Sequence, residues 1–225
     1  MVELRVKDGI AGIFLNRPEK ANALTSAALE TLRAALRELA ADPALRAVVL
    51  GGRGRNFCGG ADRLELRSLT ASTAGAFVEK IHHVCQAIRE LPVPVVARLH
   101  GAVIGAGLEI AAACDLRVAA DGTKFAMPEV RLGIPSVVEA ALLPRLMGSG
   151  RAAWLVLTGE AIDARRALEW GLIEEVGDEQ AVLKPLLAAD GQALRMQKQL
   201  LQLWDEAPLA TSVAASLERF ARLHQ

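Results

Sequence analysis

The sequence has no excess charge of either sign and no long apolar run. Lys and Arg together number 26, and Asp and Glu together also number 26. Without surplus positive charge, the chain lacks the electrostatic footprint of a protein that binds nucleic acid or an anionic membrane. Its most apolar stretch, Gly101 to Ala113, is interrupted by Glu109 and falls short of the roughly 20 residues that span a bilayer. We therefore expect a small molecule or a second copy of the chain as the partner.

Cysteine is also scarce. Cys58, Cys85 and Cys114 form an odd set without the spacing of a metal site. Unpaired thiols of this kind are typical of a reducing compartment. Residues 1–6 alternate like a strand and lack the basic flank and apolar run of a secretory signal. We expect a cytoplasmic protein that holds no metal ion.

Strand-like and helix-like segments alternate along most of the chain, as βα units require. Residues 2–6 and 10–15 predict a hairpin through a turn that ends at Gly9. Leu108 to Cys114 predicts a buried helix, and beyond Val176 the pattern is helical throughout. A chain of 225 residues can bury one sizeable core. The sequence thus predicts an α/β protein with one main domain and a small helical appendage.

Two glycine-rich turns each follow a predicted strand. They are Gly59-Gly60-Ala61 and Gly105-Ala106-Gly107, where backbone N–H groups can approach a ligand without interference from side chains. If the second turn opens a helix, its free N–H groups and the positive end of the helix dipole converge on one spot. That arrangement suits either a phosphate or an oxyanion.

The phosphate alternative would make residues 95–110 a dinucleotide-binding turn. Against it, Ile110 stands where G-x-G-x-x-G/A requires a small residue, and the Glu109 carboxylate would repel a pyrophosphate. The oxyanion alternative gives Glu109 a task, because an enolate needs N–H donors and its neighbouring carbon needs an acid or base. We favour the oxyanion, since an ionised group in an apolar segment is costly without a task or partner.

The chain resembles the enoyl-CoA hydratase/isomerase (crotonase) superfamily through motifs in that family's order over about residues 1–176. The motifs are Asn16-Arg17-Pro18, Asn22-Ala23-Leu24, Phe57-Cys58-Gly59-Gly60-Ala61-Asp62, Gly101 to Glu109, Cys114-Asp115-Leu116-Arg117 and Met127-Pro128-Glu129-Val130. The resemblance implies an α/β fold, a crotonase-like spiral core of repeated ββα units over residues 1–160. A short C-terminal helical region, residues 161–225, would build a homotrimer or hexamer. The substrate would be an acyl-CoA, with no further cofactor.

The same resemblance assigns functions to individual residues. The backbone N–H groups of Ala61 and Ala106 would form an oxyanion hole for the thioester carbonyl, although many family members have glycine where Ala106 stands. Glu109 and Glu129 correspond to the two glutamates of the hydratase branch, which hold the water that adds across the C2=C3 bond. Residues expected to bind the substrate and its CoA are Ala23, Leu24, Gly60, Asp62, Leu64 and Gly105.

Two other functions stay open at this point. Δ3,Δ2-enoyl-CoA isomerisation needs one base to shuttle a proton and could depend on Glu129 alone. A non-catalytic acyl-CoA-binding protein is the alternative from another class. It is suggested by residues 133–140, which replace the glycine-rich turn that most hydratases carry after the second glutamate, and by the short C-terminal part.

Several polar residues have a structural explanation as well as a functional one. Ser136 and Glu139 fit a capping box that opens a helix, and we prefer this to a third carboxylate in the site. Asp62 is equally suited to cap the following helix or to touch the ligand. His82 and His83 are adjacent in a predicted helix, face different directions and are expected at the surface or an interface rather than on a metal.

Overall fold

The computed structural model describes residues 1–222. Its strands are β1 (Val2–Lys7), β2 (Ile10–Leu15), β3 (Ala47–Gly52), β4 (Val95–Leu99), β5 (Ala102–Ile104), β6 (Leu116–Ala119), β7 (Lys124–Ala126), β8 (Ile162–Asp163) and β9 (Glu175–Val176). Its α-helices are α1 (Ser26–Ala40), α2 (Arg63–Ser68), α3 (Ala74–Glu90), α4 (Ala106–Ala113), α5 (Leu143–Met147), α6 (Ser149–Thr158), α7 (Ala164–Trp170), α8 (Gln180–Ala188), α9 (Gly191–Glu206) and α10 (Leu209–Arg222). Short 3-10 helices lie at Pro18–Lys20, Glu129–Leu132 and Val138–Leu142.

The strands form two sheets. The larger has the order β1-β2-β3-β4-β6-β9, and the smaller has the order β5-β7-β8. In the larger sheet β1 and β2 form the predicted antiparallel hairpin, and the remaining pairs are parallel. β3 is buried almost throughout. A parallel strand is covered on both faces of its sheet, and its sequence is therefore apolar along its whole length.

Helices α1 and α3 pack against each other on the core. Thr25 caps α1 by accepting a hydrogen bond from the Ala28 N–H, and the leucines of α1 follow helical spacing toward the interior. Each fully buried leucine contributes about 1.5–3 kcal/mol relative to an exposed one. α3 in turn contacts α4, so the burial of these two outer helices holds α4 inside the molecule.

Helix α4 is buried along its entire length, as the sequence predicted. It begins directly after β5, where Gly105 has φ +52° and donates its N–H to the Ala126 carbonyl. A Cβ added at Gly107 would lie 2.7 Å from the Cβ of Cys58, closer than real side chains approach. Glycine at this position therefore lets α4 press against the first glycine-rich turn.

The pattern beyond Val176 predicted helices throughout, and from α8 onward the chain is wholly helical. Residues 161–176, which the family resemblance assigned to the C-terminal helical region, hold α7 and also contribute β8 to the smaller sheet and β9 to the larger one. α9 is tied to the core by Lys198, whose ammonium group is buried and lies 2.8 Å from the Asp115 carboxylate. Across residues 1–222, no helix is both long and apolar enough to span a membrane.

Candidate active site

The two glycine-rich turns meet at the N-terminus of α4. Leu24 donates its N–H to the Gly60 carbonyl at 2.8 Å and accepts one from Asp62 at 2.8 Å, which anchors the first turn. Gly60 has φ +93°, and a Cβ there would lie 2.9 Å from the Ile104 oxygen and 3.8 Å from the Ala106 nitrogen. Glycine at position 60 is thus required for the close approach of the two turns.

The backbone N–H groups of Ala61 and Ala106 are both available to a ligand. In the part of the chain that the structure describes, neither N–H donates to a protein acceptor. Ala106 is the first residue of α4, so its N–H belongs to the unsatisfied first turn and carries the positive end of the helix dipole. This geometry suits an anion, or an oxygen that becomes negative during a reaction.

Glu109 points from the first turn of α4 into this region and is only 4% exposed. Burial, and to a smaller extent the nearby charges of Glu129 and Glu139, raise the pKa of Glu109 to about 8. The N–H of Ala140 opposes the shift by stabilising the carboxylate. A carboxyl group in this environment keeps its proton at neutral pH and can act as an acid.

Glu129 lines the same cavity as Glu109. It follows β7 and the Pro128 turn as the first residue of a 3-10 helix, and it is half-buried. Its Oε2 accepts a hydrogen bond from the Ser136 hydroxyl at 3.1 Å. Burial raises the pKa of Glu129, whereas the Ser136 hydrogen bond works in the other direction. Two carboxyl groups held by different environments can take different protonation states.

Both glutamates line one cavity of about 290 Å³. The glycine turns and Ala61 and Ala106 form one side of it. The opposite walls are mainly apolar, contributed by Leu66, Phe77, Val78, Ile81, Leu132, Ile134, Pro135 and Val137. Among the residues that the structure describes, no carboxylate lines the larger groove between α9 and α10. The smaller cavity is therefore the candidate active site.

The predicted capping box at Ser136 and Glu139 is wrong. No side chain caps the 3-10 helix that begins at Val138, and the Ser136 hydroxyl bonds to Glu129 instead. Val138 has φ +40°, a left-handed backbone that is incompatible with the entry of a regular helix. Glu139 is turned into the interior, 6% exposed, with its Oε1 2.8 Å from Nδ1 of His82. Glu139 does not line the cavity, although its charge contributes to the raised pKa of Glu109.

Some of the residues predicted to bind the substrate and its CoA line the cavity, and others do not. Gly60 and Gly105 line it. Leu24 is fully buried in the core, and Leu64 is 69% exposed on α2. Ala23, which precedes Leu24, is half-buried. These last three residues do not line the cavity.

Asp62 caps α2, one of the two functions considered for it. Its Oδ1 accepts hydrogen bonds from the N–H groups of Leu64 and Glu65, and its Oδ2 lies 2.6 Å from Nη1 of Arg17. The Arg17 hydrogen bond holds the pKa of Asp62 below its usual range.

Sequence reasoning missed the aromatic and basic residues of the cavity, Phe77 and Arg63. Helical spacing shows that a residue such as Phe77 is buried but not what it faces. Burial raises the pKa of the Cys58 thiol to about 12, so this cysteine near the turn stays an inert thiol. Within residues 1–222, no three His, Cys, Asp or Glu side chains are grouped as a metal site.

Comparisons with known proteins identify the family of the chain. The profile of the family described as enoyl-CoA hydratase/isomerase matches residues 5–219. An enoyl-CoA isomerase/hydratase of Mycosarcoma maydis is 32% identical over 216 residues, covering 92% of this chain and 75% of that protein. A crotonyl-CoA hydratase of Syntrophomonas wolfei is 34% identical over 196 residues, covering 85% of this chain and 74% of that protein.

Solved structures match along nearly the whole chain. The enoyl-CoA hydratase of Mycobacterium smegmatis superposes with a TM-score of 0.94 at 31% identity, covering 98% of this chain and 89% of that one. The enoyl-CoA hydratase of Bacillus anthracis gives a TM-score of 0.94 at 30% identity, covering 100% and 91%. These matches confirm the predicted crotonase-like α/β fold. Since both its sequence profile and its fold match over most of its length, the chain belongs to the enoyl-CoA hydratase/isomerase family.

Proposed function

We propose that the protein is an enoyl-CoA hydratase, which adds water across the C2=C3 bond of a 2-enoyl-CoA thioester to give a 3-hydroxyacyl-CoA. The observation that carries the proposal is the pair Glu109 and Glu129, which face one cavity beside the free N–H groups of Ala61 and Ala106. The similarity to a crotonyl-CoA hydratase supports the same reaction class.

The thioester carbonyl would accept hydrogen bonds from the N–H groups of Ala61 and Ala106. As hydroxide adds at C3, negative charge moves through C2 to that carbonyl oxygen, and the enolate is stabilised where α4 presents its positive end. Loss of one such donor in other enzymes costs about 2.7–4 kcal/mol of transition-state stabilisation. The donors are main-chain atoms, so alanine at position 106 can serve as well as glycine.

The two carboxyl groups would handle the proton balance. One ionised carboxylate takes a proton from water as the oxygen bonds to C3, and one protonated carboxyl delivers a proton to C2. The C2=C3 π bond breaks, while one C–O bond and one C–H bond form. Positioned acids and bases of this kind each contribute about 10²- to 10⁴-fold to a rate.

The substrate would supply its own CoA, with no separate cofactor or metal ion. Its acyl chain fits the apolar walls around Phe77 and Ile81. Gly60 and Gly105 allow the thioester to approach the backbone, and we propose Ala23, Leu24, Asp62 and Leu64 for the contacts with CoA, following the family resemblance.

The test is a set of 2-enoyl-CoA esters of increasing chain length, beginning with crotonyl-CoA. Hydration removes the absorbance of the conjugated enoyl thioester and adds the mass of one water, so a spectrophotometer and a mass spectrometer report it independently. We expect turnover by the wild type and a loss of about 100-fold or more in both E109Q and E129Q. Failure of the wild type on every chain length would overturn the proposal.

Δ3,Δ2-enoyl-CoA isomerisation is the second candidate. It is favoured by the placement of Glu129 alone, whose Oε1 lies directly against Gly105 at the start of α4, and by the similarity to an isomerase/hydratase. Isomerisation leaves the mass of a 3-enoyl-CoA unchanged and creates the conjugated absorbance. It would replace hydration as the main activity if E109Q kept full turnover of 3-enoyl-CoA while E129Q lost it.

We further propose a homotrimer or hexamer built through the C-terminal helices. α9 and α10 leave large apolar side chains exposed, among them Leu209, Val213 and Leu217 at 80%, 50% and 68%. Contiguous exposed apolar surface of this kind marks association sites. The three reduced, buried cysteines support a reducing compartment such as the cytoplasm. Acyl-CoA binding without turnover on any ester would favour the non-catalytic alternative.

A further inference from the structure

Ser136 lies in the short loop that joins the 3-10 helices Glu129–Leu132 and Val138–Leu142. The other residues of this loop, 133–135 and 137, are exposed, whereas Ser136 is half-buried. Its hydroxyl donates a hydrogen bond to Oε2 of Glu129 at 3.1 Å. Ser136 is not among the residues that line the cavity. It therefore contacts Glu129 without contacting a ligand in the cavity.

The carboxyl group of Glu129 has a different neighbour at each oxygen. Oε1 lies directly against Gly105 at the start of α4, and Oε2 is bound by Ser136. The glycine contact limits how near the carboxyl group can come, whereas a hydrogen bond also selects its orientation. The backbone N–H of Glu129 also stabilises the carboxylate, and Ser136 is the only side chain within residues 1–222 that does so. Without this hydroxyl, the long glutamate side chain would regain rotational freedom.

A hydroxyl group can follow Glu129 through a change of protonation. It donates a hydrogen bond to an ionised carboxylate, and it can accept one from a protonated carboxyl group. A lysine or arginine in this place would favour the charged form alone, and a backbone N–H can only donate. A serine therefore suits a carboxyl group that must keep its orientation while its proton comes and goes.

The loop that carries Ser136 ends in a strained residue. Val138 has φ +40°, a left-handed conformation that β-branched residues avoid. Strain of this kind persists only where the surrounding structure enforces it, and it is concentrated at functional sites. The strained turn comes two residues after Ser136, so the fold holds this loop in a conformation that places the hydroxyl beside Glu129.

We propose that Ser136 is a positioning residue, whose hydroxyl holds the carboxyl group of Glu129 toward the N-terminus of α4 while that group gives or takes a proton. This inference rests on the proposed use of Glu129, and it applies to hydration and to isomerisation alike. Residues 133–140 replace the glycine-rich turn of most hydratases, and Ser136 is the member of that segment that supports the second glutamate.

The first test uses the protein without substrate, so it distinguishes this inference from the proposed function. NMR of protein labelled with 13C at the glutamate carboxyl carbons follows the titration of each group, and the resonance missing from E129Q belongs to Glu129. We expect S136A to raise the titration midpoint of Glu129, because the hydroxyl hydrogen bond favours the carboxylate. S136T keeps the hydroxyl and should keep the midpoint of the wild type. An unchanged midpoint in S136A overturns the inference, whether or not the protein hydrates crotonyl-CoA.

With crotonyl-CoA as substrate, S136A should lower kcat by roughly 10- to 100-fold and change KM little, because a misdirected carboxyl group still leaves the thioester bound. S136T should restore most of the rate. S149A makes the same chemical change at an exposed serine of α6 that has no hydrogen bond from its side chain in the described part of the chain, and it should match the wild type. A full rate in S136A, or an equal loss in S149A, would contradict the inference. If 3-enoyl-CoA is the substrate instead, the same comparison is made with it.

A double-mutant cycle separates positioning from a structural contribution. If Ser136 acts through the carboxyl group of Glu129, S136A should lower kcat in the wild type but leave the residual rate of E129Q, measured at high enzyme concentration, unchanged. A purely structural contribution of Ser136 would lower kcat by the same factor in both backgrounds. That result would reject the inference.

Discussion

The carboxylate of Glu129 lies directly against the Cα of Gly105, in the space that a Cβ would occupy. Gly105 also has φ +52° and ψ −124°, a conformation that residues with a Cβ avoid. One glycine therefore serves two purposes, because it turns the chain from β5 into α4 and it leaves room for the second carboxylate. The position of Glu129 and the start of the oxyanion-binding turn are coupled through this contact.

G105A should reduce kcat/KM for crotonyl-CoA by about 100-fold or more, because Glu129 must leave its place. The same change should destabilise the fold by about 1–3 kcal/mol through backbone strain. G122A is the matched control, since Gly122 has φ +79° but open space around it. It should show a similar strain with normal kcat/KM. Equal activity losses in the two variants would mean that the contact with Glu129 has no part in catalysis.

A106P should remove an oxyanion donor with little effect on the fold. Ala106 is the first residue of α4, where proline is tolerated because that N–H makes no helical hydrogen bond. We expect a loss of about 10²- to 10³-fold in kcat, with a melting temperature close to the wild type. A106G keeps the N–H and should keep the rate. Full activity of A106P would show that this N–H does not contact the substrate.

The raised pKa of Glu109 predicts an unusual pH dependence of stability. The folded protein keeps this proton up to about pH 8, whereas the unfolded chain releases it near the ordinary value of 4.5. The folded state therefore binds more protons in this window, and stability falls as pH rises through it. E109Q should match the wild type at pH 4 and exceed its unfolding free energy at pH 9 by about 5 kcal/mol.

Urea unfolding of both proteins at the two pH values is the measurement. E38Q, at an exposed position of α1, should follow the wild-type curve at both. If the difference between E109Q and the wild type were the same at pH 4 and pH 9, Glu109 would not be the group that holds the extra proton.

K198M should detach α9 from the core. Lys198 is 3% exposed and bonds the Asp115 carboxylate and the carbonyls of Ile88 and Val93. Removal of one partner leaves Asp115 without its counter-charge, a loss of about 3–5 kcal/mol in other buried pairs. Chemical denaturation should show that loss, and K184M on the exposed side of α8 should not. If K198M were as stable as K184M, the bonds of Lys198 would not hold α9 to the core.

L217E should shift the assembly toward smaller species. Leu217 is 68% exposed on α10, and a carboxylate there would have to be desolvated in an interface. Light scattering coupled to size exclusion should show trimer or hexamer for the wild type and a lower mass for L217E. E218Q, the adjacent residue, serves as the control with no new charge. A wild-type protein that is monomeric at micromolar concentration would exclude the proposed assembly.

Much of the fold followed from local sequence. Gly9 predicted the β1–β2 hairpin, and the apolar run after Gly105 predicted the buried α4; both were confirmed. These features depend on backbone preferences and on burial over a few residues, which neighbours in the chain decide. The strands β8 and β9 were not predicted, because two residues leave no periodicity to detect.

The candidate site, like the fold, was predicted from the sequence only in part. The composition of the glycine turns and an acidic residue inside an apolar segment were sufficient to single out Glu109, and the family motifs added Glu129. The surroundings of Glu139 were not accessible in this way. Its spacing from Ser136 matched a cap, but His82, 57 positions away in the chain, is the residue that binds it. Only the packing of α3 against the 3-10 helix brings these two side chains together, since long-range contacts leave no trace in local spacing.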